Sequence, residues 1–207
     1  MRLYRFDQYS DEWYKIRCGI PTASSADKIL TPTGDLSKQS EAYMNQLIAE
    51  RAGFADDPME PTEWMQRGTL LEPEARAYFE FDTGWEVEQV GFITNEAGTA
   101  GCSPDGLVYN DVEAGFEVKC PKASTHIGYL RGGELPAYYK PQVHFSMAVT
   151  GLDRWHFMSY YPGLEPLIVL VERDEYTAKV VDAVTGFVEQ LEAECKRLGY
   201  EIERKAA

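Results

Sequence analysis

The run Ser103-Pro104-Asp105-Gly106-Leu107 is followed by Phe116-Glu117-Val118-Lys119-Cys120, with eleven residues between Asp105 and Glu117. Residues two apart on a strand point to the same face. Glu117 and Lys119 therefore share a face, and a short turn ahead of them can bring Asp105 alongside. Two carboxylates and an ammonium gathered on one sheet face are costly unless something compensates them. A divalent cation does so, and hard cations take oxygen ligands. Asp105, Glu117 and the peptide carbonyl of Val118 can supply part of a magnesium octahedron, leaving positions for water and a phosphate oxygen. A cation held there would activate water and screen the charge of a phosphodiester under attack. Lys119 would orient or deprotonate that water. Desolvation lowers a lysine pKa, whereas neighbouring carboxylates raise it, so its role as base is open. E-x-K triplets also occur as plain surface charges. These residues alone leave a metal-dependent nuclease site and a salt-bridged turn as alternatives.

The elements that must position these groups are legible in the periodicity. Asp11–Cys18 reads as a short helix. Thr22-Ala23-Ser24-Ser25 offers an N-cap for a second helix reaching Leu30, and Thr31–Gly34 is a turn. Ser40 is expected to cap a helix from Glu41 to Ala52, ended by Gly53. Phe54–Pro61 reads as an acidic loop. Glu63–Phe81 has helical spacing, with Pro73 expected to kink it or to start a new helix. The period then changes to two over Trp85–Val90, Ala100–Tyr109 and Gly115–Lys119, with Asn110-Asp111 as a turn. This predicts a three-stranded antiparallel meander carrying the carboxylates. Helices over Ser124–Leu130 and Tyr138–Thr150 follow, split by Gly132-Gly133. Strands Arg154–Tyr161 and Leu167–Glu172 come next. A last helix runs from near Asp174 to about Leu198, burying Val180, Val184, Phe187, Val188 and Leu191. The order predicts an α/β domain with a mixed central sheet flanked by helices.

At 207 residues the chain suits one domain spanning 1–207, and 44% apolar with 26% charged residues is a globular composition. No apolar run spans a bilayer, and the start lacks a signal peptide, so a cytoplasmic location is expected. Cys18, Cys102, Cys120 and Cys195 form no C-x-x-C pair, and structural thiols are expected. His126, His144 and His156 are not spaced as metal ligands. The net charge of −14 opposes a simple DNA-binding surface. Charge placement matters more than the sum, however, and a basic groove can sit on an acidic body. Lys140 and Arg131 are candidates for duplex contact.

Five ordered segments add a second kind of evidence. They are Trp13–Ser24 (WYKIRCGIPTAS), Arg67–Glu72 (RGTLLE), Cys102–Gly106 (CSPDG), Glu117–Pro121 (EVKCP) and Pro141–Met147 (PQVHFSM). On these the chain closely resembles the lambda exonuclease family, the YqaJ-like viral recombinases of the PD-(D/E)xK nuclease superfamily. The resemblance implies a restriction-endonuclease-like core and an Mg2+-dependent enzyme, with Mn2+ able to substitute. It implies processive 5′-to-3′ digestion of one strand of linear double-stranded DNA, leaving a 3′ overhang. It also implies a ring-shaped homotrimer that binds double-stranded DNA ends beside a phage single-strand annealing protein.

By residue, the resemblance makes Asp105 and Glu117 metal ligands with the Val118 carbonyl, and Lys119 the catalytic lysine. Glu72 matches an acid approaching the metal, and Gln142 a glutamine near the attacking water. Arg17, Ser24 and Ser103 match a pocket for the 5′ phosphate, where a guanidinium fork and hydroxyls form a sound anion site. Taken alone, Glu72 is a first-turn carboxylate, Ser24 a helix cap and Arg17 a solvated charge. Met65, beside Trp64, is placed to part bases at the fork, although Trp64 and Met65 also read as core residues of a helix start. Rival functions are an endonuclease of the same superfamily and a catalytically silent DNA-end-binding protein.

Overall fold

The computed structural model describes residues 1–55, 62–110 and 113–201. Strand β1 (Arg2–Tyr4), helix α1 (Asp11–Arg17) and a 3-10 segment (Ala23–Lys28) precede helices α2 (Ser40–Arg51) and α3 (Glu63–Thr83). Five strands follow: β2 (Glu86–Glu88), β3 (Phe92–Thr94), β4 (Gly101–Cys102), β5 (Gly106–Tyr109) and β6 (Ala114–Lys119). Helices α4 (Ala123–Gly132) and α5 (Lys140–Thr150) lead to β7 (Arg154–Ser159), β8 (Leu167–Glu172) and helix α6 (Glu175–Leu198).

The main sheet is mixed, in the order β2-β5-β6-β7-β8. Its only parallel pair among the described residues is β6 with β7, joined by the α4–α5 crossover that parallel pairing requires. Strand β6 sits in the centre and is buried from Ala114 to Val118. Its two faces differ in partner. Ala114, Phe116 and Val118 pack with Ala75 and Phe79 of α3. Phe79 and Phe116 rings lie 4.7 Å apart. Gly115, Glu117 and Lys119 therefore face the opposite side, toward α5. There Val143 and Met147 of α5 pack on Trp155 and Phe157. Period-two alternation thus sends the chemistry-bearing residues to one face and the apolar ones to the other.

Helix α6 closes the far side. Its start carries a capping box between Asp174 and Thr177, and Val180, Val184, Phe187 and Leu191 are buried as expected, with Val188 packed at the edge. The thiols are unpaired, with Cys102 and Cys195 buried. No helix among the described residues is long and apolar enough to cross a membrane.

Several local expectations need correction. Ala100–Tyr109 is two strands in different sheets, because Pro104 has no N–H to donate and the chain crosses over at 103–105. Between the first two strands of the expected meander, β3 and β4 depart to pair with β1 as a second sheet, β1-β3-β4. The strand expected over Trp85–Val90 is confined to Glu86–Glu88. The helix expected to reach Leu30 is a 3-10 segment whose N-cap, Thr22, makes no side-chain cap bond. Ser40 is the first residue of α2 rather than its cap. Tyr138 lies in a 3-10 turn before α5. Pro73 lies inside α3 and starts no new helix. It sits on the exposed side, where water can satisfy the carbonyl that loses its donor. Glu72 is consequently mid-helix, not in a first turn. The 56–61 part of the acidic loop and Asp111 of the expected turn lie outside the described residues.

Gly115 shows how closely β6 is held. A Cβ at this position would lie 2.3 Å from the Trp155 ring on β7. Gly115→Ala is expected to lower unfolding stability by about 1–3 kcal/mol. Urea denaturation would show a lower midpoint at unchanged slope, whereas an unchanged midpoint would mean that Trp155 can move aside.

Candidate active site

Strand β6 delivers Glu117 into the interior with only 2% of its surface exposed. A carboxylate so buried needs partners. Two converge on one oxygen: Lys119 Nζ lies 2.5 Å from Glu117 Oε1, and Gln142 Nε2 donates to the same atom at 2.6 Å. The Lys119 contact is what a two-residue strand spacing produces. The Gln142 contact comes from α5, packed on that face. Lys119 also points toward the Tyr139 ring, 5.6 Å from its centroid.

Asp105 arrives from the crossing between the two sheets. Its N–H donates to Phe116 O at 3.0 Å, and its Oδ2 accepts from Val118 N–H at 2.7 Å. This pair of bonds clamps the Asp105 turn onto β6 and brings the second carboxylate to Glu117. Burial, reinforced by the Glu117 charge, holds the Asp105 carboxyl well above the usual carboxylate range, although Lys119 pulls it down. Glu72 reaches the same cluster from α3. Its pKa is raised by burial and by Glu117, against the pull of Lys119. The Lys119 ammonium is penalised by burial, yet Glu117 and Asp105 outweigh that and raise its pKa.

Beside this cluster lies a cavity of about 370 Å3, lined in part by Tyr9, Thr69, Glu72, Asp105 and Val118. Among the described residues no three Asp, Glu, His or Cys side chains form a ready-made ligand cluster. The donor set nonetheless fits a hard cation. It is all oxygen, its carboxylates are mutually destabilised, and magnesium characteristically keeps water on several positions.

Arg17, Ser24 and Ser103 come together as well. Arg17 Nη1 donates to Ser103 Oγ at 3.1 Å and Nη2 to Ser24 Oγ at 3.4 Å. The guanidinium lies 3.9 Å from the centre of the Trp13 ring, whose Nε1 donates to Ser103 Oγ at 2.9 Å. Arg17 is thus stacked and half-buried, not a solvated charge. Two-residue separation of Ser103 and Asp105 ties this pocket to the acidic cluster.

Met65 is about half exposed, as is Trp64, at 50% and 49%. The expectation of Trp64 and Met65 as core residues is wrong: Trp64 forms a groove with Arg67, Lys122 and Tyr161, and Lys122 Nζ lies 4.4 Å from its ring. Lys140 Nζ instead lies over Tyr176, and His126 and His144 are buried in hydrogen bonds to Ser159 and Thr177. Sequence reasoning missed Gln8, whose Nε2 donates to Pro104 O at 3.1 Å and pins the N-terminal segment to the crossing. It also missed Tyr9 and Tyr139. None of the three carries a spacing signal, since they meet the site only through the fold.

Residues 12–153 match the YqaJ-like viral recombinase domain. The chain belongs to this family. In three dimensions it is similar to an alkaline exonuclease from Laribacter hongkongensis, at 35% identity and a TM-score of 0.79, over 92% of this chain and 96% of that one. The same enzyme in complex with dAMP matches at 35% identity and a TM-score of 0.78, over 91% and 96%. A phage-related exonuclease from Haemophilus somnus 129PT shares the fold at 15% identity and a TM-score of 0.59, over 84% and 96%. No curated protein matches the chain. The family match contains every residue of the acidic cluster and of the Arg17 pocket. The mixed sheet flanked by helices is the PD-(D/E)xK core of these neighbours.

The raised Asp105 carboxyl carries a stability cost with a definite sign. A carboxyl with a higher pKa folded than unfolded favours folding at low pH and loses that contribution as pH rises through the folded value. Asp105→Asn removes the titration. In metal-free solution the variant is expected to match the wild type in acid and to become progressively more stable than it toward neutral pH. Thermal unfolding across pH would read this, and a gap independent of pH would contradict it.

Proposed function

We propose that the protein is an Mg2+-dependent exonuclease that digests one strand of linear double-stranded DNA from the 5′ end, processively, leaving a 3′ overhang for strand annealing. The observation that carries this reading is the convergence of Asp105, Glu117 and Lys119 beside a cavity, in a chain 35% identical to an alkaline exonuclease.

Asp105, Glu117 and the Val118 carbonyl would hold Mg2+, with Mn2+ as a substitute and Glu72 approaching from α3. When bound, the cation supplies a charge that acidifies water and offsets the negative charge gathering on the phosphate under attack. Gln142 fixes the Glu117 carboxylate and would orient the attacking water. Lys119 would donate toward the phosphate and supply positive charge where the transition state needs it. Arg17, Ser24 and Ser103 would grip the terminal 5′ phosphate. Each cleavage creates a new terminal dianion, and its attraction to Arg17 draws the strand on by one nucleotide. The similar enzyme's structure with dAMP supports a site that accepts a mononucleotide. Arg67 and Lys122 place positive charge along the Trp64 groove of an otherwise acidic chain. A homotrimeric ring around the duplex and a phage annealing protein acting on the exposed strand complete the proposal.

Linear duplexes labelled at either end should release 5′-terminal nucleotides only with Mg2+, and covalently closed circles should survive. Asp105→Ala should abolish release. Arg17→Ala should reduce the preference for 5′-phosphorylated over 5′-hydroxyl ends by roughly tenfold. Cutting of closed circles would favour an endonuclease. Unchanged activity in Asp105→Ala would remove the metal site.

Met65 would separate strands as an exposed apolar wedge. Met65→Ala is expected to slow digestion of duplex by several-fold while sparing a single strand. Equal slowing of both would leave Met65 with no role at the fork.

A further inference from the structure

Tyr9 has φ of 68°, the one non-glycine residue with positive φ among the described residues. This region is costly for a bulky side chain, and such strain persists only where the surroundings fix it. They do so on both sides. Gln8 is bonded to Val90 O and Pro104 O. Ser10 Oγ donates to Asp7 O at 2.7 Å and accepts from Trp13 N–H as the cap of α1. Core packing does not account for the residue type, since Tyr9 is 58% exposed. A glycine would hold the same turn without strain.

Its surroundings suggest what retains the ring. On one side it lies 5.1 Å from Trp13, the residue that donates to Ser103 and carries Arg17 on its face. On the other, it lines the cavity with Thr69, Glu72 and Asp105. It therefore spans the space between the Arg17 pocket and the acidic cluster. Given the function proposed above, on which this inference rests, that space is where the nucleoside about to be released must lie. Its phosphate would be in the pocket, and its 3′ bond at the carboxylates.

We propose that Tyr9 is a substrate-binding residue whose exposed ring stacks on the terminal base of the strand being digested. Stacking suits an enzyme that must accept every base, because each presents a π-face and no hydrogen-bond pattern is read. Tyr9 precedes the 12–153 family match, so the family resemblance does not assign it.

The test uses a 5′-phosphorylated duplex with 2-aminopurine as its terminal base, bound without divalent metal, beside a duplex whose terminal position is abasic. Wild-type protein should quench the fluorophore and bind the intact end roughly tenfold more tightly than the abasic one. Tyr9→Phe should keep both effects. Tyr9→Gly should lose both while melting at or above the wild-type temperature, which separates lost stacking from lost folding. Quenching and discrimination that survive in Tyr9→Gly would overturn the proposal, as would a wild type indifferent to the abasic end. Because binding is read without catalysis, failure of digestion in Mg2+ would count against the proposed function and not against Tyr9.

Discussion

A buried carboxylate on the central strand is the constraint around which the molecule is organised. Glu117 has almost no access to water, so its charge must be answered by protein groups or by a cation. Lys119 and Gln142 meet on one of its oxygens, and Asp105 is clamped beside it by the Val118 N–H. A buried ion pair of this kind seldom adds net stability, because desolvation of both charges offsets their attraction. Two further acids, Asp105 and Glu72, make the balance worse. The fold tolerates the cluster because β6 is sandwiched between the Phe79 layer of α3 and the α5 face, which supply apolar burial on both sides. Such an arrangement, with anions held together at a cost, is the expected form of a site that completes itself with a cation.

The crossing at Ser103-Pro104-Asp105 is the second organising feature. It ends one sheet and begins the other, and it carries a pocket residue and a cluster residue two positions apart. Proline at its centre ends strand pairing there. The distance between the Arg17 pocket and the carboxylates is therefore set by three backbone residues rather than by mobile loops. For an enzyme advancing by single nucleotides, a rigid spacing of this sort would define the step.

Much of this was legible in the sequence, and the limits have physical causes. Glu117 and Lys119 on one face followed from strand period alone. The start of α6 near Asp174 and its buried stripe followed from local patterning. What could not be read were the long-range choices. Strand β4 is two residues long, too short for a periodic signal of its own, so Ala100–Tyr109 looked like one strand. Trp64 read as core because helical spacing shows which residues share a face, not whether another element covers it. Gln8, Tyr9 and Tyr139 reach the site through tertiary contacts without any spacing to announce them. The Arg17 pocket was seen through family resemblance; its stacking on Trp13 was not.

Asp105 and Glu117 are proposed to bind a divalent cation against the buried face of β6. Titration with Mn2+, followed by the loss of its free-ion electron paramagnetic resonance signal, measures this without DNA or turnover. Binding should be saturable, displaced by Mg2+, and abolished by Glu117→Gln while the protein remains folded. Equal Mn2+ uptake by the wild type and Glu117→Gln would contradict it.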